Sequence, residues 1–130
     1  ITRKSKKIMG QNSTEVAYGF GQMGSVYNNT VSAITPPTGK VFVAITFLTD
    51  TTLNTTDGLV ADNDIANGLE YAGTGTAAHD AVLTPDRGES GTGGKAVVTA
   101  TTFPKGLTIY GRYTKITTVT SGEYIAYIGL

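Results

Sequence analysis

The residues of this chain that could carry out chemistry are few, and the segment 90–96 (SGTGGKA) comes nearest to a known motif, the phosphate-binding loop. That motif needs a Gly five places before its final Gly, and a Ser or Thr after its Lys to hold magnesium. This chain has Glu89 and Ala96 at those two places. The lysine also opens a predicted strand, whereas the motif opens a helix. The segment is therefore interpreted as a glycine-rich loop and not as a nucleotide site.

Acid–base or nucleophilic catalysis would fall to His79, the only histidine, which stands beside Asp80. Neighbouring side chains on a strand point to opposite faces, so Asp80 would not orient the imidazole. His79 is interpreted as a solvated loop residue. Paired carboxylates for glycoside hydrolysis stay open among the ten acidic residues, although the chain has no Trp to line sugar subsites. The sequence predicts neither an enzyme nor a cofactor.

Oxygen ligands that calcium prefers are concentrated at Asp57, Asp62, Asn63 and Asp64. A helical calcium loop would need a further ligand at position 66 and a Gly at position 67, where the chain has Ala and Asn. Asp and Asn also bond their own backbone in turns, which explains these residues without an ion. The sequence predicts no metal, and a loop site of another geometry stays open.

Basic residues are concentrated at the start of the chain. Residues 1–7 carry four of them and no acid. The rest of the chain has six basic and ten acidic residues, so its net charge is minus four. A basic arm on a mildly acidic body can reach an anionic partner surface, although a solvated terminus is the alternative. Residues 1–10 are predicted to form an extended arm, whose candidate contact residues are Arg3, Lys4, Lys6, Lys7, Ile8 and Met9.

Nucleic acid and membranes are not predicted as partners. Four charges make a small footprint for nucleic acid, and the cluster 110–113 (YGRY) adds aromatic residues but only one arginine. No apolar run approaches the roughly 20 residues that span a bilayer.

The strand predicted at 41–48 is apolar in both of its side-chain rows, whereas one covered face needs only every second residue to be apolar. Strict alternation places Phe42, Ala44 and Leu48 in one row. The segment 124–130 (YIAYIGL) has the same two-sided pattern. Such strands are central in a sandwich or are covered by another chain. The candidate core or self-association residues are Val41, Val43, Ile45, Phe47, Tyr124 and Tyr127.

The composition predicts an all-β protein. The chain has 130 residues, of which 15% are charged, and it is rich in Thr and Gly, which favour strands and turns respectively. We expect one antiparallel β-sandwich, jelly-roll-like, over 11–130, with long loops at about 57–94. Strands are predicted at 15–20, 25–34, 40–50, 95–103, 107–116 and 123–130, with 51–56 continuing or pairing beside 40–50.

Turn residues refine this outline. The segment 35–39 (TPPTG) breaks the chain, and 103–106 (FPKG) is predicted to be a tight turn. Gly111 is the predicted site of a bulge, which would bring Ile116 into phase with Tyr113. The pair 121–122 (SG) is predicted to join the last two strands as a hairpin.

Several segments together resemble small virion proteins of tailed bacteriophages, including those of cyanophages. They are 20–25 (FGQMGS), 35–46 (TPPTGKVFVAIT), 48–52 (LTDTT), 103–113 (FPKGLTIYGRY) and 125–129 (IAYIG). The resemblance covers about half the chain, at its two ends, and leaves out the middle loops. It brings no catalytic motif, and it implies a capsid-associated structural protein.

The expected function is that of a cement or decoration protein on the outer capsid surface of a virion. It would form a homotrimer, bind the major capsid protein and stabilise contacts between capsid subunits, as the resemblance implies. The alternatives are a receptor- or carbohydrate-binding head of a phage fibre, a lytic enzyme of the virion, and a tail-tube or connector subunit.

Overall fold

The structure, a computed structural model, describes residues 23–62, 71–74, 97, 99–120 and 122–130. Its regular elements are seven strands: β1 (Ser25–Asn28), β2 (Val41–Phe47), β3 (Thr51–Thr52), β4 (Leu59–Ala61), β5 (Thr102–Phe103), β6 (Thr108–Ile116) and β7 (Tyr124–Gly129). No helix occurs among these residues. The predicted all-β class is confirmed.

The strands form two antiparallel sheets, of five and two strands, in the manner of a β-sandwich. The order in the larger sheet is β1-β7-β2-β6-β4, and the smaller sheet pairs β3 with β5. The two sheets meet through Phe47 of β2 and Phe103 of β5, whose rings stack with centroids 4.9 Å apart and planes 15° from parallel. The jelly-roll form stays a prediction, because a jelly roll has eight strands and the described residues form seven.

The central strand β2 does not keep the strict alternation that the sequence predicted. The pairing of β2 shifts by one residue between Phe42 and Ala44, opposite both β6 and β7. This bulge leaves the core row as Phe42, Ile45 and Phe47, all fully buried. Val41, Val43, Ile45 and Phe47, which strict alternation predicts to form one row, therefore do not share one side of β2, because a bulge reverses the phase of the residues before it.

The core lies between the sheets. The two strands that flank β2 both contribute to it: β7 through Tyr124, Ala126 and Ile128, and β6 through Tyr113 and Ile116. Leu53 and Leu59 complete the set of buried side chains, and Phe47 also meets the Tyr124 ring at a centroid distance of 6.5 Å. Burial raises the pKa of the Tyr113 phenol above its ordinary value of 10.0.

The last two strands are neighbours in sequence but not in the sheet. A hairpin of β6 and β7 was predicted at 121–122, yet β2 lies between these strands. The prediction is wrong because β2 is the strand that is apolar in both rows, and it takes the central place with a partner on each side. The connection 117–123 is long enough to pass over one strand, which a two-residue turn is not.

The predicted turns are present. Gly39 has φ +80, and Lys40 N donates to Pro37 O at 3.0 Å, so the break at 35–39 ends in a tight turn before β2. Gly106 has φ +88, and Leu107 N donates to Pro104 O at 3.1 Å. This second turn lets the chain leave β5 in the small sheet and enter β6 in the large one.

The outer parts of the predicted map are only partly described. The strand predicted at 25–34 ends at Asn28, and that predicted at 95–103 is described as a strand only at Thr102–Phe103. The loop region 57–94 contains the short strand β4 and a bridge from Thr74 to Val97. The strand predicted at 15–20 and the arm 1–10 lie outside the described residues.

Gly111 leaves room for the ring of Tyr113, two residues further along β6. A Cβ at Gly111 would lie 2.6 Å from Cζ and Oη of that tyrosine. The phenol donates a hydrogen bond of 3.0 Å to the Tyr110 carbonyl, which holds the ring back over the glycine. Opposite β2, the strand β6 carries an extra residue between Tyr110 and Tyr113, so the bulge predicted at Gly111 is present. The change of phase between Tyr113 and Ile116 does not arise there, however, but at the shift between Val60 and Ala61 of β4, opposite Lys115 and Tyr113.

We expect Gly111→Ala to lower the free energy of unfolding by about 1–3 kcal/mol, the usual cost of an overpacked core site. The added methyl displaces the Tyr113 ring from its buried position. In a Tyr113→Leu background the same change should cost much less, because the ring is gone. Urea unfolding of the four proteins of this double-mutant cycle measures the coupling. Equal costs in both backgrounds would contradict the contact.

Candidate interaction surface and polar cleft

The side of the larger sheet that faces away from the small sheet is a candidate interaction surface, here called the outer face. On β7, Tyr124, Ala126 and Ile128 are buried in the core, so the alternate residues Ile125 and Tyr127 lie on the outer face, where both are half-buried. If this row faced only water, polar residues would be expected in it.

The middle of the outer face is a small residue between two tyrosines. Ala44 of β2 pairs with Tyr110 of β6 on one side and with Tyr127 of β7 on the other. Ala44 is only 2% exposed, whereas Tyr110 is 64% exposed. Val43 belongs to the same side, since a Cβ at Gly129 would lie 2.6 Å from its Cγ1. The outer face is defined by Val43, Ala44, Tyr110, Ile125 and Tyr127.

The bulge in β2 is what gives the outer face its apolar centre. With regular alternation, Phe42 would share the side of Ala44, and Val43 would turn to the core. The shift between Phe42 and Ala44 instead leaves Val43 and Ala44 together on the outer side. Tyrosine is enriched in protein interfaces because its large ring is apolar and its hydroxyl tolerates water.

The rim along β4 and β6 is charged. Arg112 bonds Asp62 Oδ2 through Nε at 3.2 Å, with Nη2 also 3.2 Å from that oxygen, and its Nη1 donates to Leu130 O at 2.7 Å. Lys115 lies 3.1 Å from Asp57. Exposed ion pairs of this kind add little stability. They border the apolar patch on its β6 side, as polar residues do at the rim of an interface.

The structure divides the predicted core and self-association residues between three places. Ile45, Phe47 and Tyr124 lie in the core. Val43 and Tyr127 lie on the outer face, and Val41 is 5% exposed but outside the core cluster. Two-sided apolar patterning indicated that both faces need cover, and the inner one packs into the core, where Phe103 of the small sheet stacks on Phe47.

The predicted arm residues, Arg3, Lys4, Lys6, Lys7, Ile8 and Met9, lie outside the described residues. So do His79, the glycine-rich segment 90–96, and two of the four candidate calcium ligands, Asn63 and Asp64. The other two, Asp57 and Asp62, are ion-paired with Lys115 and Arg112. Within the described ranges, no three His, Cys, Asp or Glu side chains are placed to hold a metal ion.

A polar cleft that sequence reasoning missed lies at one end of the larger sheet, with a volume of about 350 Å³. The residue after β1, the two residues before β3 and the two before β7 meet there. This follows from the topology, because β7 is antiparallel to both of its neighbours, so its start lies beside the ends of β1 and β2. The cleft is lined by Asn29, Thr49, Asp50, Gly122 and Glu123.

A buried side chain shapes the turn beside this cleft. Asn28 Nδ2 donates to the Tyr124 hydroxyl at 2.9 Å and to the Thr30 carbonyl at 3.2 Å, and its Oδ1 accepts a 3.0 Å bond from the Thr30 hydroxyl. The chain is thereby held as it leaves β1 and reaches Asn29. Desolvation raises the pKa of Tyr124, and the bond from Asn28 opposes that shift.

An apolar cleft of about 390 Å³ opens beside β6. It is lined by Leu59, Ala72, Val97, Phe103, Thr108, Ile109, Tyr110 and Tyr113. Ile109 and Phe103 pack against the core from its edge, so the cleft continues the core towards the surface.

Comparison of the chain with protein-family models, curated proteins and solved structures gives no match. In the part of the chain that the structure describes, no helix is long and apolar enough to cross a membrane.

We expect Asn28→Ala to cost about 1–3 kcal/mol of unfolding free energy, because it leaves the buried Tyr124 hydroxyl without its donor. Adding Tyr124→Phe should recover part of the loss, since the orphaned hydroxyl is then absent. Thermal unfolding of both variants, with Tyr124→Phe alone as the control, measures this recovery. A double variant less stable than Asn28→Ala alone would contradict the account.

Proposed function

We propose that this protein is a decoration, or cement, protein of a tailed bacteriophage, which binds the outer capsid surface and braces contacts between major capsid protein subunits. The observation that carries the proposal is the outer face, an apolar and tyrosine-rich surface on a β-body. It is the kind of surface that one chain uses to cover another. The resemblance of segments such as 103–113 to small virion proteins supports a place on the capsid.

The outer face is assigned to contact between copies of this chain, in a homotrimer. Tyr110 and Tyr127 stand on either side of Ala44, so a partner surface would close over both rings at once. Burial of a large apolar side chain contributes about 2 kcal/mol, and each copy in a trimer would contribute this surface to the assembly. The charged border, with Arg112 and Lys115 already paired, would remain at the edge of the contact.

The capsid contact is assigned to residues 1–10. Four basic side chains without an acid would meet an anionic surface of the major capsid protein, and Ile8 and Met9 would add apolar contacts. Three arms in one trimer would bind together, so weak individual contacts would give firm attachment. This mechanism needs neither a cofactor nor a metal.

We expect the double variant Tyr110→Ser, Tyr127→Ser to lose the trimer, because the largest apolar groups of the outer face are removed. Analytical ultracentrifugation should give three times the chain mass for the wild type and one for the variant. Val119→Ser is the matched control, since it removes an apolar side chain, 41% exposed, that lies outside the outer face. It should remain trimeric.

Circular dichroism of the double variant must show an intact β-structure for this comparison to count. A wild-type protein that sediments as single chains, or a double variant that remains trimeric, would contradict the assignment of the outer face. A closed ring of more copies would favour a tail-tube or connector subunit instead.

The capsid role is tested with empty shells assembled from the major capsid protein of the same genome. We expect the full chain to co-sediment with these shells, to raise their temperature of disruption, and to appear at sites of threefold symmetry by electron cryomicroscopy. Deletion of residues 1–10 should reduce binding at least tenfold and make the remainder less sensitive to salt, because the basic charges are lost.

Two outcomes of this experiment are decisive in different ways. Unchanged binding after the deletion would overturn the role of the arm and leave the capsid role intact. Absence of binding by the full chain would overturn the capsid role itself.

A further inference from the structure

The polar cleft has the chemistry of a ligand site that the capsid role does not use. The described residues that line it come from three separate segments, which the antiparallel order β1-β7-β2 brings to one end of the sheet. Its volume of about 350 Å³ lies at the lower end of the range of ~300–1,000 Å³ that small-molecule sites occupy. That volume suits one sugar ring.

Hydrogen bonds hold the lining in place. Leu48 N donates to Glu123 O at 2.8 Å, and Glu123 N donates to Thr49 Oγ1 at 3.0 Å, so the start of β7 is tied to the end of β2. Gly122 has no room for a side chain, because a Cβ there would lie 2.7 Å from Thr51 Oγ1. A ligand would meet a preformed surface, which lowers the cost of binding.

The two carboxylates of the cleft are each engaged through one oxygen. Asp50 Oδ1 accepts a 2.8 Å bond from the Lys105 backbone N–H, and Glu123 Oε2 accepts a 2.5 Å bond from the Tyr27 hydroxyl. Among the described residues, these bonds leave Asp50 Oδ2 and Glu123 Oε1 as acceptors for a ligand. The Thr49 hydroxyl accepts from Glu123 and keeps its own proton to donate.

An aromatic ring stands at the rim of the cleft. Tyr27 is 52% exposed, and its bond to Glu123 fixes the hydroxyl end of the ring beside the lining. That bond, followed by desolvation and the negative charge of Glu123, raises the pKa of the Tyr27 phenol. The hydroxyl donates its hydrogen bond to Glu123, and one side of the ring is available to an apolar sugar face.

The charge of the lining selects the class of ligand. Among the described residues, two carboxylates and no cationic side chain line the cleft, so phosphate, sulfate and acidic sugars would be repelled. The described lining has two carboxylates, and no three His, Cys, Asp or Glu side chains among the described residues are placed to hold a metal ion. Hydroxyl groups satisfy the free carboxylate oxygens as donors, and they accept from Thr49 and Asn29.

We propose that the polar cleft binds a neutral sugar, with hydroxyl groups bonded to Asp50 and Glu123 and the ring lying against Tyr27. On a particle surface such a site would attach the protein to neutral glycans. Asp50 and Glu123 belong neither to the outer face nor to the arm, whereas Tyr27 pairs with Ile125 and borders the outer face. The carboxylates of the site are therefore separate from the residues assigned to the capsid role.

Saturation-transfer NMR with the methyl glycosides of glucose, galactose, mannose and N-acetylglucosamine, followed by an array of neutral oligosaccharides, tests the site. At least one neutral glycan should bind, with shifts confined to the cleft. Glu123→Gln and Asp50→Asn should each weaken binding about tenfold or more, because each removes a charged acceptor. Tyr27→Ala should weaken it further than Tyr27→Phe, which keeps the ring.

Asp57→Asn is the matched control, since it changes a carboxylate that pairs with Lys115 elsewhere on the protein. It should leave glycan binding unchanged. Binding of no neutral glycan, binding that survives both cleft variants, or calcium binding that shifts the same residues would overturn the proposal. Because Glu123→Gln leaves the arm and outer face intact, shell binding by this variant separates failure of the cleft from failure of the capsid role.

Discussion

The pairing of β2 with a neighbour on each side positions every other feature of this protein. Phe42, Ile45 and Phe47 are fully buried against the core, and the same strand is hydrogen-bonded to β7 along one edge and β6 along the other. Displacing β2 would remove the stack of Phe47 on Phe103 that joins the two sheets. Val43 and Ala44, the side chains of β2 on the outer face, would then lose their positions as well.

Two surfaces result from this arrangement, and they have opposite chemistry. The bulge at Val43 gives the outer face an apolar centre, where Ala44 lies low between two tyrosines. The ends of β1 and β2, which meet the start of β7, gather carboxylate, amide and hydroxyl groups in the polar cleft. A β-body of this kind can pack against a partner through the apolar outer face while the polar cleft stays accessible to a ligand.

The sequence predicted the elements better than their arrangement. The apolar run 41–48, the Pro–Gly turns and the alternation of 124–130 located β2, β6 and β7, because these signals are local. The order of the strands was not predictable in the same way. It depends on which strands pair, and β2 pairs with β6 and β7, which lie far from it in the sequence. Val41 and Val43 do not share the side of Ile45 and Phe47, as strict alternation predicted, because a one-residue shift reverses the phase and valine suits either face of a strand.

The candidate sites, too, were predictable only where their signal is local in the sequence. Apolar residues in both rows of 41–48 indicated a second surface in need of cover, and Val43 and Tyr127 of the predicted set lie on it. The polar cleft had no signal in the sequence. Asp50 and Glu123 are 73 positions apart by their numbers, and each alone is an ordinary loop acid. Only the antiparallel placement of three strand ends brings them to one cavity.

The central position of β2 has a consequence for synthesis of the chain. Its side chain Thr46 bonds Thr108, 62 residues later, and β1 joins β7 through Asn28 and Tyr124, which are 96 residues apart. The ribosome therefore releases β2, which is apolar in both rows, well before β6 and β7 have been synthesised. Pairings between such distant segments form slowly. Lys40 and Asp50, which flank the run, are placed as charged gatekeepers that discourage the nascent strand from aggregating with other copies.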